Sequence, residues 1–158
     1  TWKAGVDVLS FGGTKNGLAV GDCVVFFDRQ LATDFAYRCK QAGQLASKMR
    51  YLSAPWLGLV QNDVWLSNAR HANRAARQLA DRLESMPDVS LINEVQANTL
   101  FVSFPQGVAD QLRQRGWVFY DFIGTGGSRL MCSWNTSEKV IDEFSKDVQR
   151  CLAAPREC

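Results

Sequence analysis

Residues 10–17 read Ser10-Phe11-Gly12-Gly13-Thr14-Lys15-Asn16-Gly17, directly after the apolar alternation Val6, Val8, Phe11. Three glycines in eight residues commit the chain to a sharp turn at the end of what reads as a buried strand. Glycine reaches backbone conformations closed to other residues at little steric cost. The turn carries one lysine. Small neighbours let a flat molecule come close to the backbone, and desolvation beside other cations lowers an ammonium pKa until the amine attacks carbonyls. A solvated lysine in a Gly-Asn turn has the same spacing, and residue types alone do not separate the two readings.

The period changes along the chain predict its elements. Cys23 to Phe27 is continuously apolar, and with Val6 to Phe11 it reads as short strands covered on two faces of a parallel or mixed sheet. A helix is predicted from about Leu31 to Arg50, with Phe35, Cys39, Leu45 and Met49 on one side. Pro55 allows a break, and Trp56, Leu57, Leu59 and Val60 form an apolar patch around it. Asp63 is placed to cap a long helix carrying Leu66, Ala69, Asn73, Ala76, Leu79, Ala80 and Leu83, which ends at Met86-Pro87.

Beyond Asp88 the pattern is a compact α/β unit. A strand over 98–104 stops at Pro105, and a short helix with Val108 and Leu112 is closed by Gly116. Strands at 117–123 and 129–134 flank a glycine turn at 124–127. A last helix from about Ser137 carries Val140, Phe144, Val148 and Leu152 at four-residue spacing, with Asn135 and Glu138 suiting its start. This order predicts one antiparallel sheet covered by the helices at 107–115 and 137–153.

Composition removes several function classes. Charged residues are 22%, apolar residues 46% and the net charge is +2, so no strong field recruits nucleic acid or a membrane surface. Basic residues are spread along the chain, no apolar run nears the roughly 18 residues of a spanning helix, and no signal-peptide pattern stands at Thr1. Cys23, Cys39, Cys132, Cys151 and Cys158 contain no Cys-x-x-Cys pair, which favours free thiols over disulfides and suggests a reducing, cytoplasmic setting and no metal site. Gly124 to Gly127 lacks the dinucleotide spacing, and Lys15 is followed by Asn where a phosphate-binding P-loop has Ser or Thr.

The segment Gly126-Gly127-Ser128-Arg129-Leu130-Met131-Cys132-Ser133-Trp134 places a single arginine among apolar strand residues. Such an arginine is either paired with a structural carboxylate or aimed at a ligand, whose carboxylate it grips bidentately. Arg38-Cys39-Lys40-Gln41-Ala42-Gly43 is a basic helical segment that an exposed Lys/Arg pair also explains, and surface solvation equally explains Ser47 and Lys48. His71, the single histidine, lies on a polar helix face far along the chain from either motif.

Asp7 to Gly17 resembles the lysine segment of the pyridoxal-phosphate-dependent threonine aldolases, in particular the low-specificity and phenylserine-cleaving branch. The likeness covers essentially the whole chain, yet corresponds only to the C-terminal part of such an enzyme, somewhat under half. It implies an α/β fold in which residues 1–62 are the remnant of the fold-type-I large, cofactor-binding domain. Residues 63–158 would be the small C-terminal α/β domain with an antiparallel sheet. It implies pyridoxal 5'-phosphate held on Lys15 as a Schiff base, with Ser10, Thr14 and Lys48 at the cofactor, Lys48 across a dimer interface. Arg129 would bind the substrate α-carboxylate, with Lys40 nearby.

The implied activity is a lyase that cleaves β-hydroxy-α-amino acids such as threonine, allo-threonine or phenylserine to glycine and an aldehyde. Its partners would be a small amino-acid substrate and further copies of itself in a homodimer or homotetramer, with no metal, nucleic acid or membrane. A β-eliminating lyase or aminotransferase of the same fold type shares the lysine and arginine, and a non-catalytic fragment used only as a folded small domain is the other alternative. No aspartate for the pyridinium nitrogen, phosphate-binding Gly-Thr/Ser turn or cofactor-stacking histidine is identifiable. These belong to the part of the family pattern preceding Thr1, so the chain is expected to be a portion of the enzyme.

Overall fold

The computed structural model describes residues 1–122 and 126–154, which form two compact units, Thr1–Leu66 and Ser67 onward. The first is organised by a hairpin. β1 (Val8–Gly12) and β2 (Asp22–Phe26) pair antiparallel, with Val8 opposite Phe26 and Gly12 opposite Asp22. This corrects the expected parallel or mixed sheet covered on two faces. The connection spans only residues 13–21, and a parallel partner needs a crossover of about a dozen residues or more. Leu9, Phe11, Cys23 and Val25 share the better-buried face, while Val8, Ser10, Asp22 and Val24 are exposed on the other.

Aromatic rings back the hairpin. Phe11 packs edge-on against Trp56 of α2 (Arg50–Val60) at 5.4 Å and against Trp65 in the first turn of α3 (Val64–Glu84) at 5.8 Å. Phe26 meets Phe35 of α1 (Phe35–Gln41) at 4.9 Å. Edge-to-face pairs of this kind contribute about 0.5–1.5 kcal/mol each beyond area burial.

The helix expected over 31–50 is not continuous. Gly43 takes φ +70°, the Gln44 N–H donates to the Cys39 carbonyl at 2.8 Å, and the Gly43 N–H donates to Lys40 at 3.1 Å. This is a Schellman closure, which ends α1 and satisfies its last carbonyls. Pro55, expected as a break, lies inside α2. The break comes at Asn62 and Asp63, both left-handed at φ 57° and 56°. Asp63 therefore precedes α3 in a conformation other than the extended one an N-cap adopts.

In the second unit β3 (Ser90–Leu91), β4 (Thr99–Ser103), β5 (Tyr120–Asp121) and β6 (Ser128–Met131) form an antiparallel sheet in the order β3-β4-β6-β5. Leu100, Val102 and Leu130 join a buried cluster with Ala76, Leu79 and Leu83 of α3, Val108 and Leu112 of α4 (Val108–Gln114), and Ile141, Phe144 and Val148 of α5 (Glu138–Ala153). Burying each large aliphatic side chain is worth up to about 1.5–3 kcal/mol, so this cluster dominates the unit. Helices thus cover one face, and Thr99, Phe101, Tyr120, Arg129 and Met131 occupy the other.

Several expected boundaries move for local reasons. The strand expected over 117–123 shrinks to Tyr120–Asp121 because Trp117 serves α4. Its N–H donates to the Leu112 carbonyl while Gly116, at φ +94°, donates to Arg113. Ile123 and the turn residues 124 and 125 lie outside the described residues. At α5 the cap is Ser137, whose Oγ accepts from the Val140 N–H at 3.3 Å. Asn135 instead accepts from Ser133 Oγ. Val140 is exposed, and the buried stripe is Ile141, Phe144, Val148 and Cys151. A strict four-residue step drifts around a helix of 3.6 residues per turn, so alternating three- and four-residue steps hold the core face.

The cysteines at 23, 39, 132 and 151 are free thiols, and Cys158 lies outside the described residues. Burial pushes the Cys132 thiol up to about 11, which keeps it protonated and unreactive. Among the described residues no helix is long and apolar enough to cross a membrane, and no group of side chains suits a metal ion.

Asp147 ties α5 to the end of α4. The Trp117 indole N–H donates to Oδ2 at 3.0 Å, Arg150 donates to Oδ1 at 2.9 Å and Arg115 at 3.4 Å. The indole bond first, then the arginines, hold this carboxylate below its ordinary range. A carboxyl with a depressed folded-state pKa stabilises the fold above the unfolded value, roughly 3.9, and loses that contribution as the pH falls through the folded value. Asp147→Asn should therefore lower the melting temperature at pH 7, and the gap to the parent should close below about pH 4. A gap unchanged between pH 7 and pH 3 would contradict the assignment.

Candidate active site

Lys15 stands in the 3-10 turn Thr14–Asn16 that follows β1. The turn is clamped from several sides. Gly13 donates to the Gly21 carbonyl at 3.1 Å, Leu18 donates back to Gly13 at 3.1 Å, and Asn16 Nδ2 donates to the Trp65 carbonyl at 3.0 Å. A Cβ at Gly13 would sit 2.7 Å from the Gly21 oxygen and 2.8 Å from Trp56, closer than packed atoms tolerate. Gly13 is thus the point where strand, turn and indole meet.

The amine lies against the other glycine. A Cβ on Gly12 would be 3.1 Å from Lys15 Nζ and 3.5 Å from Asp22 Oδ1. Side chains two residues apart on a strand share a face, and Gly12 pairs with Asp22 across the hairpin. Lys15 Nζ, Ser10 and Asp22 therefore occupy one face of the β1–β2 sheet. Asp22 was not singled out from the sequence. Its signal was the hairpin register, which becomes visible only once the turn length is known.

Lys15, Ser10 and Thr14 are exposed, so the atoms of this chain do not supply the desolvated pocket expected around the amine. Among the described residues no ion pair engages Lys15 Nζ, which leaves it open to a carbonyl partner. Lys40 lies exposed on α1. Lys48 lies exposed in the connection to α2, at φ 60°, a conformation uncommon outside glycine. The structure gives neither lysine a contact with Lys15.

Arg129 belongs to the second unit, on β6, half-buried on the helix-free face. It stands opposite Phe101 on β4 and Tyr120 on β5. The structural ion pair that the sequence left open does not form among the described residues. The carboxylates of this region are committed elsewhere. Asp121 accepts from Arg113 at 2.6 Å and from Ser128 Oγ at 3.0 Å, and Asp110 accepts from Arg113 at 2.8 Å. These two carboxylates and the Phe119 ring, 4.8 Å from the guanidinium carbon, hold Arg113 in place, and the hydrogen bond to Asp121 most of all raises its pKa. His71, half-buried on α3, contacts the Thr136 carbonyl through Nε2 at 2.8 Å, a structural role.

The family model described as beta-eliminating lyase matches residues 2–106, a span that includes the whole Lys15 turn and its clamp. The chain belongs to the beta-eliminating lyase family. Two curated relatives sharpen the neighbourhood. The low specificity L-threonine aldolase of Pseudomonas aeruginosa is 56% identical over 154 residues, and that of a Pseudomonas species 53%; each match covers 98% of this chain and 44% of the relative. The chain thus spans less than half the length of these relatives. Among solved structures, the threonine aldolase of Leishmania major superposes with a TM-score of 0.82 at 24% identity, covering 94% of this chain and 44% of that one. A sphingosine-1-phosphate lyase of Burkholderia pseudomallei superposes at 0.56 with 14% identity, covering 92% and 30%. The fold of this family member is therefore that of part of a threonine aldolase, a mixed α/β fold-type-I architecture.

Proposed function

We propose that the protein carrying this chain is a pyridoxal 5'-phosphate-dependent aldolase that cleaves β-hydroxy-α-amino acids to glycine and an aldehyde. The observation that carries the reading is the lysine amine set over the empty side-chain position of Gly12, in a turn clamped by Gly13, Trp56 and Trp65. These residues fit the cofactor's aldehyde: a Cβ at Gly12 would fill the room beside the amine, and no ion pair among the described residues competes for it. Residues 1–62 are read as the end of the cofactor domain and residues 63–158 as the small domain.

When bound, pyridoxal phosphate supplies an electron sink for cleavage at the α-carbon. The chain's own residues supply position and charge. Lys15 would hold the cofactor covalently, with Ser10 and Thr14 beside it and Lys48 toward the phosphate. Arg129 would grip the substrate carboxylate with its planar fork, and Lys40 would add positive charge. Fixing the carboxylate sets the torsion about the α-carbon, so the bond to be cleaved is oriented before reaction. The residues that desolvate the amine would come from the parts of the relatives' length that this chain does not span, or from a second copy in a homodimer or homotetramer.

Borohydride reduction of the full-length protein with pyridoxal phosphate, followed by peptide mapping, tests the assignment. The label is expected on Lys15, together with aldehyde release from threonine or phenylserine. A label on Lys40 or Lys48 would overturn the site, and the 2-oxo acid of elimination (2-oxobutyrate from threonine, phenylpyruvate from phenylserine) or an amino-group transfer product in place of aldehyde would overturn the reaction.

A further inference from the structure

Arg129 is the centre of a cross-strand row. On the helix-free face of the second sheet, Phe101 of β4 lies directly opposite it on one side and Tyr120 of β5 on the other. Directly opposed residues in an antiparallel sheet point to the same face, with Cβ atoms about 5 Å apart. The guanidinium stem therefore rises between two aromatic residues. They are not equivalent. Phe101 is half-buried and locked edge-on against Phe122 at 4.9 Å and 66°, whereas Tyr120 is 74% exposed.

We propose that Phe101, fixed by Phe122, is a positioning residue that aims Arg129 at the substrate carboxylate, with Tyr120 closing the other side of the slot. The proposal rests on the reading of Arg129 given above. An arginine free on a sheet surface loses rotamer freedom when it grips a ligand, and that loss is subtracted from affinity. Aromatic walls on both sides accommodate the methylene stem and the planar fork, because guanidinium stacks readily on ring faces. The fork is then presented edge-on, the orientation bidentate recognition of a carboxylate requires. Neither ring carries charge, so the slot leaves the full positive charge of Arg129 for the ligand. The second unit's acidic groups at Asp110, Asp121 and Asp147 are engaged with Arg113, Arg115 and Arg150 instead.

The test compares glycine with glycinamide, which lacks the anionic carboxylate, as competitive ligands of the full-length, cofactor-loaded protein. Their inhibition constants are measured beside the thermal unfolding midpoint. Phe101→Leu keeps apolar volume but removes the ring, Phe101→Tyr keeps the ring, and Arg129→Lys removes the fork. Phe101→Leu should weaken glycine about two- to fivefold, the size of an arginine–aromatic contact, without a matching change for glycinamide. Phe101→Tyr should restore the parent value. Arg129→Lys should collapse the preference for glycine over glycinamide. If Arg129→Lys collapses the preference while Phe101→Leu moves both ligands equally, or neither, the positioning role is wrong and the carboxylate reading stands. If Arg129→Lys leaves the preference intact, the carboxylate reading fails, and the role of Phe101 with it.

Discussion

Replacing Lys15 by alanine in the full-length protein should abolish covalent retention of pyridoxal phosphate and reduce aldehyde release by on the order of 10³–10⁶-fold, the range seen when a nucleophile or its equal is removed. The Lys15 amine lies over Gly12, whereas Lys40 sits on α1 and Lys48 in the connection to α2. The fold should be untouched, because the side chain is exposed and engages in no ion pair among the described residues. Gel filtration in denaturant with absorbance detection of the cofactor, after borohydride reduction, reads the retention directly. Cofactor remaining on the Lys15→Ala chain would show that another amine does the work.

Gly13→Ala should damage stability and site together. The added methyl has nowhere to go: it meets the Gly21 carbonyl oxygen and Leu18 at 2.7 Å and Trp56 at 2.8 Å, and the first of these is backbone. Overpacking of this type costs about 1–3 kcal/mol. Relief requires the turn to move away from Trp56, which displaces Lys15 from Gly12. Thermal unfolding and cofactor affinity of the full-length variant should both fall, by several degrees and by more than tenfold respectively. A variant that unfolds earlier yet holds the cofactor as tightly as the parent would show that the turn tolerates the shift. By contrast, Gly17 at φ 106° and Gly21 at φ 103° are required by conformation, and Gly13 by contact.

Local patterning was enough for the elements whose core faces inward within one short stretch. β4, α4 and α5 were all legible within a residue or two, because alternation and helical spacing report burial against a core formed by the same unit. So was the Lys15 turn, since a glycine-rich run after a strand marks a turn before any tertiary contact is known. Where two signals competed, the weaker-looking one prevailed. Gly43 closed α1 although the apolar stripe ran past it, and Trp117 was taken into the closure of α4 although it looked like a strand start.

What the sequence by itself determined was the chemistry available: one lysine among glycines, one arginine among apolar strand residues, and a composition without strong charge. Only the tertiary structure decided which groups meet. The antiparallel register brings Asp22 to Gly12 and to the face of the Lys15 amine, and a one-residue slip would have sent it to the opposite face. The pairing of β6 with both β4 and β5 places Phe101 and Tyr120 beside Arg129, residues 28 and 9 positions away in the chain. Periodicity reports which side of an element is buried, but it carries no information about the residue standing opposite. That is set by how distant strands align when their cores pack.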